Sequence, residues 1–226
     1  MTCLDIEKFK RTERVSNPFQ FLMVPEFLKV EALKGVNDDF PLIEEAGNFD
    51  LEGLSYGPRF KTFIDEIKGP VFHAAMEEKF GVSLAGLHHL ITIRAISDSD
   101  DGHIHTDSPS KTMTALIYLN QDWNSPGGRL RLLRNGLDLD DYIAEVPPIA
   151  GTLLAFKRSD NSWHGHKPFI GPRRTIQINW IDDSVDNIRY RVGRIGRRLA
   201  ERMACGLFRP APGARKSGDK RYREKY

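Results

Sequence analysis

Residues Thr112-Met113-Thr114-Ala115-Leu116-Ile117-Tyr118-Leu119-Asn120 form a run of β-branched, aromatic and apolar side chains ending in Asn. That composition fits a strand in a sheet better than a helix. Similar short runs follow at 129–133, 143–146, 152–157, 164–169 and 173–181. Gly, Pro, Asp and Ser separate them, and no helical period intervenes. Short strands at this spacing predict an all-β sandwich or barrel of jelly-roll type. Upstream, Leu87 to Ile96 extends the series, with Arg94 its charged exception.

Before this β region the period changes. Pro18 to Val24 reads as a strand and Glu26 to Val36 as a short helix. Pro58 is placed to start a helix bearing Phe60, Phe63, Ile64 and Ile67. Gly69-Pro70 interrupts it, and Val71, Phe72, Ala75, Met76 and Phe80 resume the face. Residues 1–16 read as a polar, loosely packed segment, and the stretch between Val36 and Pro58 as a surface connection. The expected fold is therefore mainly β (α+β): a double-stranded β-helix, about residues 87–182, with helices packed on it within a domain spanning 17–186.

From Asn187 to Tyr226 the character is basic. Between Arg189 and Tyr226 there are 13 Lys or Arg against three acids. Ile188, Val192, Ile195, Leu199 and Met203 recur at helical steps, which predicts a basic amphipathic helix followed by a polar tail. Its partners are expected to be its own domain, an anionic membrane surface or a polyanion. Cys3 and Cys205 are the only cysteines, so a disulfide framework is not expected, and a reducing cytoplasm is the default location. No apolar run approaches the roughly 18 residues of a membrane span.

Two histidine-bearing stretches flank the strands: Gly102-His103-Ile104-His105-Thr106-Asp107 and Ser162-Trp163-His164-Gly165-His166. On extended chain, His105 and Asp107 point to one side. With a histidine from the second stretch they make two imidazoles and a carboxylate, the facial ligand set of non-haem Fe(II) oxygenases. His164 and His166 share a side, so the residues alone leave the choice open. His103 is a neighbour, and His73, His88 and His89 read as structural.

The block from His105 to Trp180 resembles the catalytic domain of the Fe(II)/2-oxoglutarate-dependent dioxygenases, most of all the prolyl 4-hydroxylase-like branch. The resemblance is carried by His105-Thr106-Asp107, by residues 114–120 with Asp122-Trp123, by Gly127-Gly128, and by Ser162 to His166. Arg174 stands ten residues beyond His164, and Trp180 six beyond the arginine. Arg129 departs from the acidic residue the family often carries after the Gly-Gly pair.

This resemblance implies iron held by His105, Asp107 and His164. It also implies 2-oxoglutarate as cosubstrate, O₂, and ascorbate as a candidate reductant. The far carboxylate of 2-oxoglutarate is expected on Arg174 and Tyr118, with Thr114 a further contact, Arg173 being the less favoured of the arginine pair. The expected reaction is hydroxylation of a C–H bond, releasing succinate and CO₂. A protein proline, an amino acid, a sugar and a lipid-linked intermediate all remain open as substrates. The competing class is a jelly-roll metal-binding module without turnover, whose basic tail carries the function.

Overall fold

The computed structural model describes residues 2–183, so the helix expected in 187–226 lies outside the described residues. Among these residues four α-helices, α1 (Ile6–Arg11), α2 (Val30–Asp38), α3 (Pro58–Lys68) and α4 (Pro70–Phe80), accompany nine strands. The strands are β1 (Phe21–Val24), β2 (Phe49–Asp50), β3 (His88–Ser97), β4 (Lys111–Tyr118), β5 (Leu130–Leu133), β6 (Tyr142–Val146), β7 (Leu153–Lys157), β8 (His164–Gly165) and β9 (Gly171–Ile181). They form a six-stranded sheet in the order β1-β7-β4-β9-β3-β2 and a three-stranded sheet in the order β6-β5-β8. Every paired neighbour is antiparallel. This is the expected jelly roll with helices packed on it.

The alternation of side chains along the central strands divides the interior in two. On β4, Met113, Ala115 and Ile117 face a large core built with the helices, where Phe60, Phe63, Ile67 and Phe72 are also buried. Ile176, Ile178 and Trp180 of β9 join the same core. The opposite face of β4 places Tyr118 with Phe156, Leu130 and Leu132 in a second cluster. β9 presents Arg173, Thr175, Gln177 and Asn179 on that opposite face, a polar row between the sheets.

The helices start and stop where local chemistry predicts. Proline opens both α3 and α4, where a missing N–H costs nothing, with Gly69 between them. Gly81, at φ 61°, ends α4 in the left-handed conformation that glycine adopts without strain. Each large side chain that α3 buries contributes about 1.5–3 kcal/mol. An alanine at Phe63, fully buried, would cost about 3–5 kcal/mol.

Three expectations need correction. The segment 2–16 is anchored at three points: Cys3, Leu4 and Phe9 are buried, and Phe9 lies against Phe27 and Phe72 with ring centroids 5.9 Å apart in both pairs. The Glu66 carboxylate accepts the backbone N–H of Cys3 at 2.7 Å and of Leu4 at 3.0 Å, pinning this segment to α3. The stretch taken as a surface connection supplies β2, which pairs with Thr92 and Ile93 of β3. The strand foreseen over 164–169 keeps only His164–Gly165, because Pro168 has no N–H to give a ladder.

Candidate metal and cosubstrate site

The two histidine-bearing stretches meet as antiparallel neighbours. His105 N–H donates to the His164 carbonyl at 3.0 Å, and His164 N–H returns to the His105 carbonyl at 2.9 Å. The side-chain ligand atoms of His105, Asp107 and His164 all lie within 4.8 Å of one another, the one such group of metal-ligating residues among the described residues. Both imidazoles are oriented by backbone. His105 Nδ1 faces the His103 carbonyl at 2.8 Å and His164 Nδ1 faces the Ser162 carbonyl at 2.9 Å. A carbonyl can only accept, so each ring carries its proton on Nδ1 and leaves Nε2 as a lone-pair donor. Burial, with a smaller opposing pull from Asp107, lowers the His164 pKa to about 4, keeping the ring neutral as ligation requires.

Asp107 is held on both oxygens. Lys111 Nζ donates to Oδ1 and Thr114 Oγ1 to Oδ2, each at 2.5 Å. Burial opposes ionisation here, but the Lys111 charge, the His164 ring and these two hydrogen bonds outweigh it, and the pKa falls to about 2. The carboxylate is therefore charged at neutral pH, with lone pairs left for an ion. His105 is exposed while Asp107 and His164 are buried, so the cluster opens on one side.

Beside the cluster lies a cavity of about 160 Å³ lined by His105, Thr114, Tyr118, His164, His166 and Arg173, among others. Arg173 is 5% exposed. Its Nε donates to the Gly128 carbonyl at 2.8 Å, its Nη1 reaches Thr175 Oγ1 at 3.4 Å, and its guanidinium lies 5.4 Å from the Tyr118 ring centre. No carboxylate pairs with it among the described residues. Burial accordingly lowers its pKa. The Tyr118 hydroxyl is buried and no group meets full hydrogen-bond geometry with it; burial raises its pKa against the smaller opposing pull of the neighbouring Arg173. A buried cation without an anion and an orphaned phenol, both in the cavity wall, fit a ligand carboxylate.

Arg174 does not belong to this site. It lies on the helix-facing side of β9, where its Nη1 donates to Asn37 Oδ1 at 3.1 Å and its guanidinium covers Phe40 at 4.7 Å. The ten-residue step from His164 reaches Arg174, but the arginine that lines the cavity is Arg173. The signal that separates them is the alternation of β9. Arg173, Thr175, Gln177 and Asn179 make one polar face, while Ile176, Ile178 and Trp180 make an apolar one. A charge needed in a polar cavity belongs to the polar face. Thr114 does line the cavity, but its hydroxyl proton is committed to Asp107. Lys111 and Arg94 are not singled out by the sequence, whereas His166 is the alternative to His164 that it leaves open. Lys111 announces itself only through the i,i+4 spacing to Asp107. His166, its pKa lowered to about 4 by burial and then Arg173, lines the cavity but is not among the convergent donors.

A jelly roll that gathers two imidazoles and a carboxylate on an open edge has the donor set of a non-haem Fe(II) oxygenase. Residues 92–182 match the model of the family described as the 2OG-Fe(II) oxygenase superfamily, so over this stretch the chain is similar to that family. This match implies Fe(II) as cofactor, with 2-oxoglutarate and O₂ as cosubstrates. No curated protein matches the chain by sequence. Among solved structures, a viral collagen prolyl hydroxylase of Paramecium bursaria Chlorella virus-1, in complex with 2-oxoglutarate, is 13% identical with a TM-score of 0.51. The match covers 72% of this chain and 96% of that one. A prolyl hydroxylase from Trichoplax adhaerens, in complex with a peptide fragment of the hypoxia inducible factor oxygen degradation domain, is 16% identical with a TM-score of 0.51. Here 79% of this chain and 87% of that one are covered. These similarities are of fold.

Proposed function

We propose that the chain is an Fe(II)- and 2-oxoglutarate-dependent hydroxylase that holds iron through His105 Nε2, Asp107 and His164 Nε2. Arg173 and Tyr118 then take the far carboxylate of 2-oxoglutarate, and Arg174 has no part in it. When bound, iron and 2-oxoglutarate supply the oxidising power, O₂ delivering one oxygen atom to succinate as CO₂ leaves and the other to a substrate C–H bond.

The protein's own residues do the rest. The His103 and Ser162 carbonyls fix the imidazole tautomers. Lys111 and Thr114 hold Asp107 charged and oriented. Arg173 offsets the charge of the buried cosubstrate and fixes its direction. The observation that carries this reading is the buried Arg173 guanidinium, unpaired beside the orphaned Tyr118 hydroxyl and the His-Asp-His cluster. A metal-holding barrel without turnover leaves that cation uncompensated for no gain.

The substrate is an organic molecule, peptidyl or small, with an oxidisable C–H bond. Purified protein with Fe(II) and 2-oxoglutarate under air is expected to form succinate slowly without substrate, as uncoupled turnover. An iron-loaded protein that consumes no 2-oxoglutarate beyond an Asp107→Ala control would overturn the proposal.

A further inference from the structure

The cavity contains a second arginine that the cosubstrate does not account for. Arg94 sits on β3 opposite Thr175 of β9, so it shares the polar wall with Arg173, and it lines the same cavity. Its side chain is 13% exposed. Burial, followed by the nearby Arg173, lowers its pKa to about 10, so it remains a cation at neutral pH. Two of its nitrogens are engaged: Nε donates to Asn48 Oδ1 at 3.1 Å, and Nη1 pairs with Asp101. Nη2 makes no hydrogen bond among the described residues. The Asp101 carboxylate is itself shared, since its Oδ2 also accepts the Asp98 N–H at 2.8 Å and closes the turn leading to His105. The guanidinium is thus locked in orientation, with one N–H edge unclaimed.

The charge balance points the same way. Leaving the histidines aside, the cavity wall carries two cations, Arg94 and Arg173, and one anion, Asp101. Asp107 and Lys111 cancel each other at their edge of the site. Iron and doubly charged 2-oxoglutarate also cancel. One positive charge is left in a largely buried place, where an uncompensated charge is costly. An anionic substrate removes the imbalance. A planar guanidinium with a free edge suits a carboxylate.

We propose that Arg94, with the Asn48 amide beside it, binds a carboxylate of the substrate, which makes the substrate class an organic acid. The proposal rests on the reading of the cavity as an Fe(II)/2-oxoglutarate site. It also assigns the two arginines different anions: Arg173 the cosubstrate, Arg94 the substrate.

The test uses trifluoroacetate as the probe and trifluoroacetamide as its neutral counterpart. Each is titrated anaerobically into the full chain loaded with Fe(II) and saturated with 2-oxoglutarate. Relaxation of the fluorine NMR signal by the paramagnetic iron reports binding. The expected result is saturable relaxation of the acid but not the amide, weakened on the order of tenfold in Arg94→Met. Asp101→Asn, which removes the negative charge that competes for Arg94, is expected to bind the acid more tightly than wild type. Equal relaxation of acid and amide, or unchanged binding in Arg94→Met, overturns the proposal. Should Arg94→Met not fold, unchanged or weaker binding in Asp101→Asn overturns it instead. The visible charge-transfer band of the Fe(II)·2-oxoglutarate complex is recorded on the same samples. Its absence in iron-loaded wild type removes the cofactor reading and this one together; its presence without discrimination removes this one alone.

Discussion

Exchanging the roles of two adjacent arginines gives a sharp prediction. Arg173→Met removes a guanidinium that is 5% exposed and faces the orphaned Tyr118 hydroxyl. If that guanidinium takes the far carboxylate of 2-oxoglutarate, its loss leaves a buried carboxylate with the phenol alone. Truncating one partner of a buried, hydrogen-bonded charge pair costs about 3–5 kcal/mol, so 2-oxoglutarate is expected to bind more weakly by a factor of roughly 10² to 4 × 10³. Arg174→Met removes instead a hydrogen bond to Asn37 and a cover over Phe40. That change is expected to cost about 1–2 kcal/mol of stability and to leave cosubstrate affinity within about twofold. Anaerobic calorimetric titration of 2-oxoglutarate into the Fe(II)-loaded variants measures the first quantity, and chemical denaturation the second. Weakened 2-oxoglutarate binding in Arg174→Met, with wild-type affinity in Arg173→Met, would refute the assignment.

Two further outcomes follow from the geometry. His89 and His73 pack edge-on with centroids 4.5 Å apart, and both contact Trp180. Burial, then the neighbouring charges of His73, Lys68 and His88, lower the His89 pKa to about 4, and burial lowers that of His73. A histidine with a depressed folded pKa binds its proton more readily unfolded. Its contribution is therefore complete above the unfolded value near 6.5 and is lost as pH falls toward about 4. Discounted for partial exposure, His89 is expected to account for about 1–2 kcal/mol of that loss, and denaturation of His89→Phe from pH 7 to pH 4.5 should show a correspondingly flatter decline. Thr114→Val removes the hydroxyl bonded to Asp107. It is expected to weaken Fe(II) binding by about tenfold and 2-oxoglutarate binding less, the reverse of a direct contact with the cosubstrate; paired titrations of the metal and the cosubstrate separate the two.

What could be read from the chain without its fold follows the strength of each local signal. The β4 run 112–120 and the α3 and α4 stripes combine many apolar positions with Pro or Gly punctuation, and they appear within a residue or two of where periodicity places them. α1 is only six residues long, capped by the Asp5 side chain, and too short for a period to register. Phe9 inside it is fully buried, which a lone aromatic in a charged stretch cannot announce. β2 is two residues long and owes its state to β3, a tertiary cause. In the site, His105, Asp107 and His164 converge because the His-x-Asp stretch and His164 pair backbone to backbone, which their separation in sequence hides. That Arg173 and not Arg174 faces the cavity is legible in the facial pattern of β9, not in a count of residues. The placement of Arg94 needs the structure, because only the register between β3 and β9 puts it in the cavity wall.

The central claim is that His105, Asp107 and His164 hold one iron at which 2-oxoglutarate binds. Anaerobic addition of Fe(II) and 2-oxoglutarate should produce a visible metal-to-ligand charge-transfer band in wild type and in His166→Ala, and no band in Asp107→Ala or His164→Ala. A wild-type protein shown to contain one equivalent of iron that develops no band with 2-oxoglutarate, or a band that survives Asp107→Ala and His164→Ala undiminished, would contradict it.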